Sequence, residues 1–456
     1  MSESPRAFAT TQVQAGYTAG VAENTAVPPI HQSNAFEFGS LSEARDLFAL
    51  RRDGNIYSRA ANPTVLVFER RVAALEGGIA AAGVSSGQAA VAVALLALAK
   101  QGEHIVAARQ LYGGTIDLLA DTFADWGIAV TFVDQDDAAA WAAAARPETR
   151  AFFAESITNP IAQVLDVQQV ADLAHAAGVP LVIDATVATP YLQRAKDFGA
   201  DIVVHSATKF LGGHGTSLGG VVIDLGTFDF AADPGRWPQL NAPYARVHGA
   251  SLVERFGATG SPYITLVKTK YVHDLGPSLS AFNAFQLLQG IETLDLRMGR
   301  HTSNALAVAR FLEAHPAVVR VHHPGLESSP WHEAAKRSLP RGAGSVFSFD
   351  LPTSGDADAD FALVEAFIAE LRVVRLVANI GDARSLVAHP SSMTHSHMTR
   401  EQLAEAGIGP TTVRLSIGLE DPADIVADLG AALATVSVTA DAAADLEPQE
   451  ALISAR

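Results

Sequence analysis

Lys209 follows the apolar stretch Asp201-Ile-Val-Val-His-Ser206-Ala-Thr208 and precedes the glycine-rich turn Gly212-Gly-His-Gly215. A primary amine at a strand's end, beside hydroxyls able to bind an anion, is what a Schiff-base enzyme requires. A lysine before such a turn is also commonly a solvated charge, so other residues have to agree. Asp184 ends the run Pro180-Leu-Val-Ile-Asp184, which reads as a short buried strand entered through Gly178 and Pro180. A carboxylate in that position is costly unless it is protonated or meets a cation. Capping of the following turn is the plainer use for it.

The protonated ring nitrogen of pyridoxal phosphate would be a suitable cation, and the pairing would keep the ring an electron sink for charge at a substrate α-carbon. Val84-Ser-Ser86-Gly87-Gln88 opens an alanine- and leucine-rich helix with Ser86 or Gly87 as N-cap. The free amides of Gly87 and Gln88 at that helix start suit a phosphate, with the hydroxyls of Ser206 and Thr208 converging from the lysine strand. Tyr112, in Leu111-Tyr-Gly-Gly-Thr115 after the strand at 104–108, offers a flat ring to stack on a flat cofactor. Asn159, in Glu155-Ser-Ile-Thr-Asn159-Pro160, could hydrogen-bond the cofactor's phenolic oxygen. Each has a bland alternative: a turn glycine, a tyrosine packed under a loop, an asparagine before proline.

Taken together, these motifs resemble the Cys/Met-metabolism family of pyridoxal-phosphate enzymes, of the aspartate-aminotransferase type (fold type I). The resemblance runs from about Gln14 to about Ala432. It also includes Tyr57-Ser-Arg59-Ala-Ala-Asn62-Pro63-Thr64, Asp184-Ala-Thr186, Ser385-Leu-Val-Ala-His389-Pro390 and Val413-Arg414-Leu-Ser-Ile-Gly-Leu-Glu420. It implies that Lys209 holds the cofactor and then shuttles protons, that Asp184 faces the ring nitrogen, that Thr186 also belongs to the cofactor site, and that Tyr112 stacks on the ring. Phosphate would lie on Gly87, Gln88, Ser206 and Thr208, with Ser86 also in the cofactor site. Tyr57 and Arg59 match residues that reach the phosphate of a neighbouring subunit, so the resemblance implies a homo-oligomer, a homotetramer built as a dimer of dimers. Arg414 matches the arginine that forks onto the substrate's α-carboxylate, and Ser385, Asn159 and Tyr57 would line the substrate site.

The family both builds and breaks thioethers. Three features resemble its sulfhydrylases, which act on O-acetylhomoserine and sulfide: the segment Phe228–Phe256 with Pro234-Gly-Arg-Trp-Pro238 and Tyr244-Ala-Arg-Val-His-Gly249, the glycine at 114, and Gly381-Asp-Ala-Arg384-Ser385. The alternatives within the family are an O-succinylhomoserine sulfhydrylase or cystathionine γ-synthase and a cystathionine or methionine γ-lyase. Outside it stands a non-catalytic binding protein on the same fold.

The elements that must place these residues alternate. Helical stretches such as Thr115–Trp126 and Val167–Ala177 separate short strands at 104–108, 128–133, 150–154, 180–184 and 201–204, which predicts an α/β fold with a mainly parallel central sheet. In such sheets ligands bind outside the strands' carboxyl ends, where Tyr112, Asn159, Asp184 and Lys209 fall. An arm over residues 1–65, a large domain over 66–262, a smaller α+β C-terminal domain over 263–438 and an acidic tail over 439–456 are expected. The chain has 456 residues and a net charge of −17, with no basic run, which argues against a nucleic-acid partner. It has no cysteine, which excludes disulfides and thiolate chemistry. The longest apolar run, Ala89–Ala99, is short of the ~18 residues a membrane span needs, and residues 1–6 lack a signal-peptide core, so a cytoplasmic protein is expected. No metal site is expected, since His395 and His397 lack a third clustered ligand.

Overall fold

The computed structural model describes residues 6–18 and 24–436, and the acidic tail lies outside them. The chain divides into two units, Met1–Ser156 with Leu165–Leu296, and Ile157–Val164 with Arg297–Arg456.

The first unit is built on a seven-stranded sheet of β1 (Ala80–Val84), β2 (His104–Ala108), β3 (Ala129–Val133), β4 (Thr149–Glu155), β5 (Leu181–Asp184), β6 (Ile202–His205) and β7 (Gly220–Asp224), in the order β1-β7-β6-β5-β4-β2-β3. β3, β2, β4, β5 and β6 run parallel, and β7 is antiparallel to both its neighbours. Every residue of β2 and of β6 is buried, as expected where helices cover both faces. The five strands expected from the sequence are present. β1 and β7 complete the sheet, and β1 reads as Ala-Ala-Ala-Gly-Val, a composition that favours helix until β7 pairs with it.

The helix Pro63–Glu76 shows how local sequence fixes the arm. Asn62 caps it by accepting from Thr64 N–H at 2.9 Å, proline occupies its first turn, and Gly77 ends it at φ 71°. The same Asn62 side chain donates to His31 O and Ser58 Oγ, both at 2.9 Å, so the cap also ties down the chain that carries Tyr57 and Arg59. The stretch expected as one helix over 115–126 is helical, with a π turn at Leu118–Thr122 between Gly113–Asp117 and Phe123–Asp125.

The second unit has a five-stranded sheet of β8 (Arg320–His322), β9 (Val346–Asp350), β10 (Arg375–Leu376), β11 (Leu386–Ala388) and β12 (Thr412–Ser416), in the order β10-β11-β12-β9-β8 and antiparallel apart from β10 with β11. Helices at Ala357–Glu370 and 422–436 accompany it. The segment Ile157–Val164 belongs here because Ile161 packs with Ala406 and Ile408, and Ser348 Oγ donates to Pro160 O at 2.8 Å.

The change of domain expected at Pro262 falls instead at Arg297. Pro262 does start a helix, but that helix is anchored in the first unit: its cap Ser261 donates to Asp224 Oδ2 at 2.5 Å, and Tyr263 OH donates to Ala94 O at 2.9 Å. Further along, Lys268 pairs with Glu69 at 2.6 Å, and Glu292 meets the buried guanidinium of Arg71 at 3.1 Å. A proline marked the turn, whereas long-range polar ties decide where the unit ends.

Candidate active site

In the first unit Asp184 ends β5, and Lys209 and Tyr112 each lie four residues beyond the last residue of β6 and β2. The lysine strand and the acid strand are tied through Thr186. Its amide donates to Asp184 Oδ1 at 2.9 Å, and its hydroxyl oxygen accepts Ser206 N–H at 2.8 Å. The Lys209 backbone is fixed on both sides, with its N–H on Ser206 O at 3.1 Å and its carbonyl accepting Gly213 N–H at 2.7 Å. Burial pushes the Asp184 carboxyl above its ordinary range, while hydrogen bonds from the Thr186 hydroxyl and amide and the charge of nearby His205 pull the other way. A carboxylate desolvated to this degree gains most from a cation placed against it.

The anion cradle has a steric reason for its glycine. Ser86 accepts Ala89 N–H at 3.1 Å and caps the helix Gly87–Leu96, which leaves the amides of Gly87 and Gln88 as first-turn donors without an intrahelical acceptor. A Cβ at Gly87 would stand 2.4 Å from Ser206 Cβ, so only glycine lets the helix start approach the lysine strand this closely. One at Gly220 would stand 2.0 Å from Ser86 O, which brings β7 up to the same turn. The Thr208 hydroxyl is engaged with Gly219, donating to its carbonyl at 3.1 Å and accepting from its amide at 3.0 Å. It would have to redirect its hydrogen to bind phosphate. The narrow cradle and the desolvated acid fit a phosphorylated ligand with a cationic ring.

Tyr112 is 44% exposed. Its amide donates to Glu155 Oε1 at 2.6 Å, and the Gln88 side-chain amide donates to Gly114 O at 2.5 Å. In the sequence Glu155 stands out only as the start of the asparagine motif. It carries the same signal as Asp184, an acid ending a buried strand, and the two are register partners.

Tyr57 and Arg59 are not in this group. They line a cleft of about 760 Å³ with Phe48, Arg246, Phe256 and Lys268, and the Arg59 guanidinium lies 5.6 Å from the centre of the Tyr57 ring. Arg246 and Phe256 come from the segment Phe228–Phe256, so its second half forms one wall of the cleft. Its first half is anchored elsewhere. Trp237 stands edge-on to Phe230 at 5.2 Å, and Arg236 donates to Thr149 O and Ala177 O, at the amino ends of the strands.

The second unit holds Arg414, Asn159 and Ser385. Arg414, on β12 and 2% exposed, donates to Asn379 O at 3.0 Å and to Asn159 Oδ1 at 3.4 Å, which brings together two of the expected substrate-site residues. Ser385 is buried with both roles of its hydroxyl taken: it donates to Glu420 Oε2 at 2.8 Å and accepts Gly418 N–H at 2.9 Å. Its side chain thereby braces residues 418 and 420 against the strand start at Leu386.

The layout of the first unit is that of a fold type I pyridoxal-phosphate enzyme, and comparison with known proteins narrows the class. A family described as Cys/Met metabolism PLP-dependent enzymes matches residues 9–434. The chain is 45% identical over 415 residues to the O-acetyl-L-homoserine sulfhydrylase of Leptospira meyeri, covering 90% of this chain and 92% of that one. It is 43% identical over 427 residues to the homocysteine synthase of Schizosaccharomyces pombe, covering 93% and 98%. A crystal structure of a putative O-acetylhomoserine (thiol)-lyase from Campylobacter jejuni, containing N'-pyridoxyl-lysine-5'-monophosphate, superposes with a TM-score of 0.88 at 34% identity, covering 93% of this chain and 99% of that one. A cystathionine γ-synthase from Xanthomonas oryzae pv. oryzae gives a TM-score of 0.82 at 31% identity, covering 96% and 100%. The chain belongs to the Cys/Met-metabolism family of pyridoxal-phosphate-dependent enzymes. Pyridoxal phosphate is its cofactor. Among the described residues no helix is long and apolar enough to cross a membrane.

Proposed function

We propose that this enzyme converts O-acetyl-L-homoserine and sulfide to L-homocysteine and acetate, a γ-replacement serving methionine biosynthesis, as a cytoplasmic homotetramer arranged as a dimer of dimers. The observation that carries the reading is the edge of the large sheet, where a lysine, a desolvated acid and a glycine-made anion cradle are tied to one another, in a chain 43–45% identical to named sulfhydrylases and homocysteine synthases.

When bound, pyridoxal phosphate supplies an electron sink for negative charge at the substrate's α-carbon. The protein supplies position and proton transfer. Ser86, Gly87, Gln88, Ser206 and Thr208 would take the phosphate, Asp184 braced by Thr186 would keep the ring nitrogen protonated, and Asn159 is the residue the family resemblance assigns to the phenolic oxygen. Lys209 would hold the cofactor through its amine, and the same amine would take the α-proton and return protons at the end of the turnover. Arg414 grips the α-carboxylate with two parallel N–H donors. Tyr112 would stack on the ring and assist as a β-proton is lost and acetate departs with its bonding pair from the γ-carbon; hydrosulfide would then add at the γ-carbon as a proton returns to the β-carbon. Tyr57 and Arg59 serve the phosphate of the neighbouring subunit.

The cystathionine synthase neighbour at 31% identity, and a cystathionine γ-lyase neighbour at 29%, favour thioether chemistry as the second reading. Purified holoenzyme given O-acetyl- or O-succinylhomoserine with sulfide or cysteine, and separately cystathionine or methionine, separates the two. Homocysteine formed fastest from the acetyl ester and sulfide is expected. Turnover confined to cystathionine or methionine would overturn the proposal.

A further inference from the structure

Tyr112 sits in a backbone with little stiffness of its own. Two glycines follow it, its side chain makes no capping bond to the helix Gly113–Asp117, and 44% of the residue is exposed, so packing alone does not fix the ring. Two polar side chains hold the turn from outside. Glu155 ends β4, is 5% exposed, and its Oε1 accepts Tyr112 N–H at 2.6 Å. From the phosphate side, the Gln88 side chain donates to Gly114 O at 2.5 Å. Gly114 itself lies under the ring, where a Cβ would stand 2.7 Å from Tyr112 Cε1.

A carboxylate at the end of a buried strand needs strong donors to offset its desolvation, and a backbone amide is one of those it has found. Gln88 links the helix that starts at the anion cradle to the turn that carries the ring. We propose that Glu155 and Gln88 are positioning residues for Tyr112, setting the height and tilt of its ring over the cofactor. The inference rests on the stacking role given to Tyr112 above. Neither side chain has to touch substrate. Each acts through the Tyr112–Gly114 backbone, with the missing Cβ at 114 letting the ring settle against it.

The test uses holoenzyme carrying Glu155→Ala, Glu155→Gln or Gln88→Ala, each alone and combined with Tyr112→Ala. Turnover of O-acetylhomoserine with sulfide is measured together with the visible circular dichroism of the bound cofactor, which reads ring tilt rather than rate. Glu155→Ala should lower kcat about tenfold, the loss of one charge-assisted hydrogen bond, and weaken the dichroic band. Glu155→Gln, whose amide oxygen can still accept, should recover both to within about threefold. In the Tyr112→Ala background, Glu155→Ala and Gln88→Ala should cost nothing further, because their effect passes through that ring. Equal cost in both backgrounds, or an unchanged band and kcat in Glu155→Ala, overturns the inference while leaving the stacking role intact. A silent Tyr112→Ala overturns the stacking role and the inference with it. If Glu155→Ala fails to fold, Gln88→Ala, which keeps its backbone amide, carries the same test with the same outcomes.

Discussion

At the scale of single residues, the centre of the account is the carboxylate of Asp184. Its burial raises the cost of ionisation, and Thr186 offsets that cost only in part, so the acid is poised for a cation. Asp184→Asn keeps shape and hydrogen bonding while removing charge. It should lower kcat about a hundredfold or more while the protein still binds pyridoxal phosphate, a size typical of losing one preorganised electrostatic group. Near-normal kcat in a cofactor titration and steady-state assay would remove the ring-nitrogen role. The placement of Asp184 was legible because an acid closes an apolar run, and that of Lys209 because it follows such a run by a few residues. Glu155 carried the same signal and was passed over, since nothing in its own segment shows that the amide it serves belongs to Tyr112, 43 positions away. Ser385 presents the opposite case. A hydroxyl in a shared motif reads as a ligand contact until Glu420 and Gly418 are seen to occupy it.

At the scale of elements, the helix start at Gly87 shows what sequence reading can and cannot reach. Its cap and its free amides follow from Ser-Gly-Gln before an alanine-rich run, whereas the need for glycine comes from Ser206, brought in by β6. Alanine in place of Gly87, the first residue of the helix, puts a methyl where Ser206 already stands. We expect Gly87→Ala to weaken pyridoxal-phosphate binding about tenfold or more, read by fluorescence titration of the apoprotein, with a loss of stability of about 1–3 kcal/mol from the collision with Ser206. Unchanged affinity would mean that the helix start at Gly87 and the lysine strand do not form the cradle. Strands such as β2 and β4 were legible from their apolar runs. β1 was hidden by its alanines and takes its form from β7, a partner 140 positions further along the chain in the register Ala82 with Val222.

At the scale of the whole molecule, both units hold neutral histidines that acid would have to charge. Burial holds His104 down to about 4, flanked by Thr149 Oγ1 and Thr131 Oγ1 at 2.9 Å, and holds His323 down to about 4, edge-on to Phe347 at 5.1 Å. In the unfolded chain such groups titrate near ~6.5. The unfolded state therefore binds protons first as pH falls, so their contribution is complete above ~6.5 and is lost progressively toward ~4. Urea midpoints measured from pH 8 downward should be steady at first and then fall through that window, whereas a flat or rising midpoint would contradict the burial of these rings. The sequence conveyed the α/β class and a second, smaller α+β part. It did not convey where the first unit ends, because ties such as Arg71 with Glu292 join residues more than two hundred positions apart.

The most direct test is covalent. Holoenzyme reduced with borohydride and digested should yield one pyridoxyl-phosphate-bearing peptide by mass spectrometry, with the label on Lys209. A label on another lysine, or none on a protein that still turns over O-acetylhomoserine, would contradict the account.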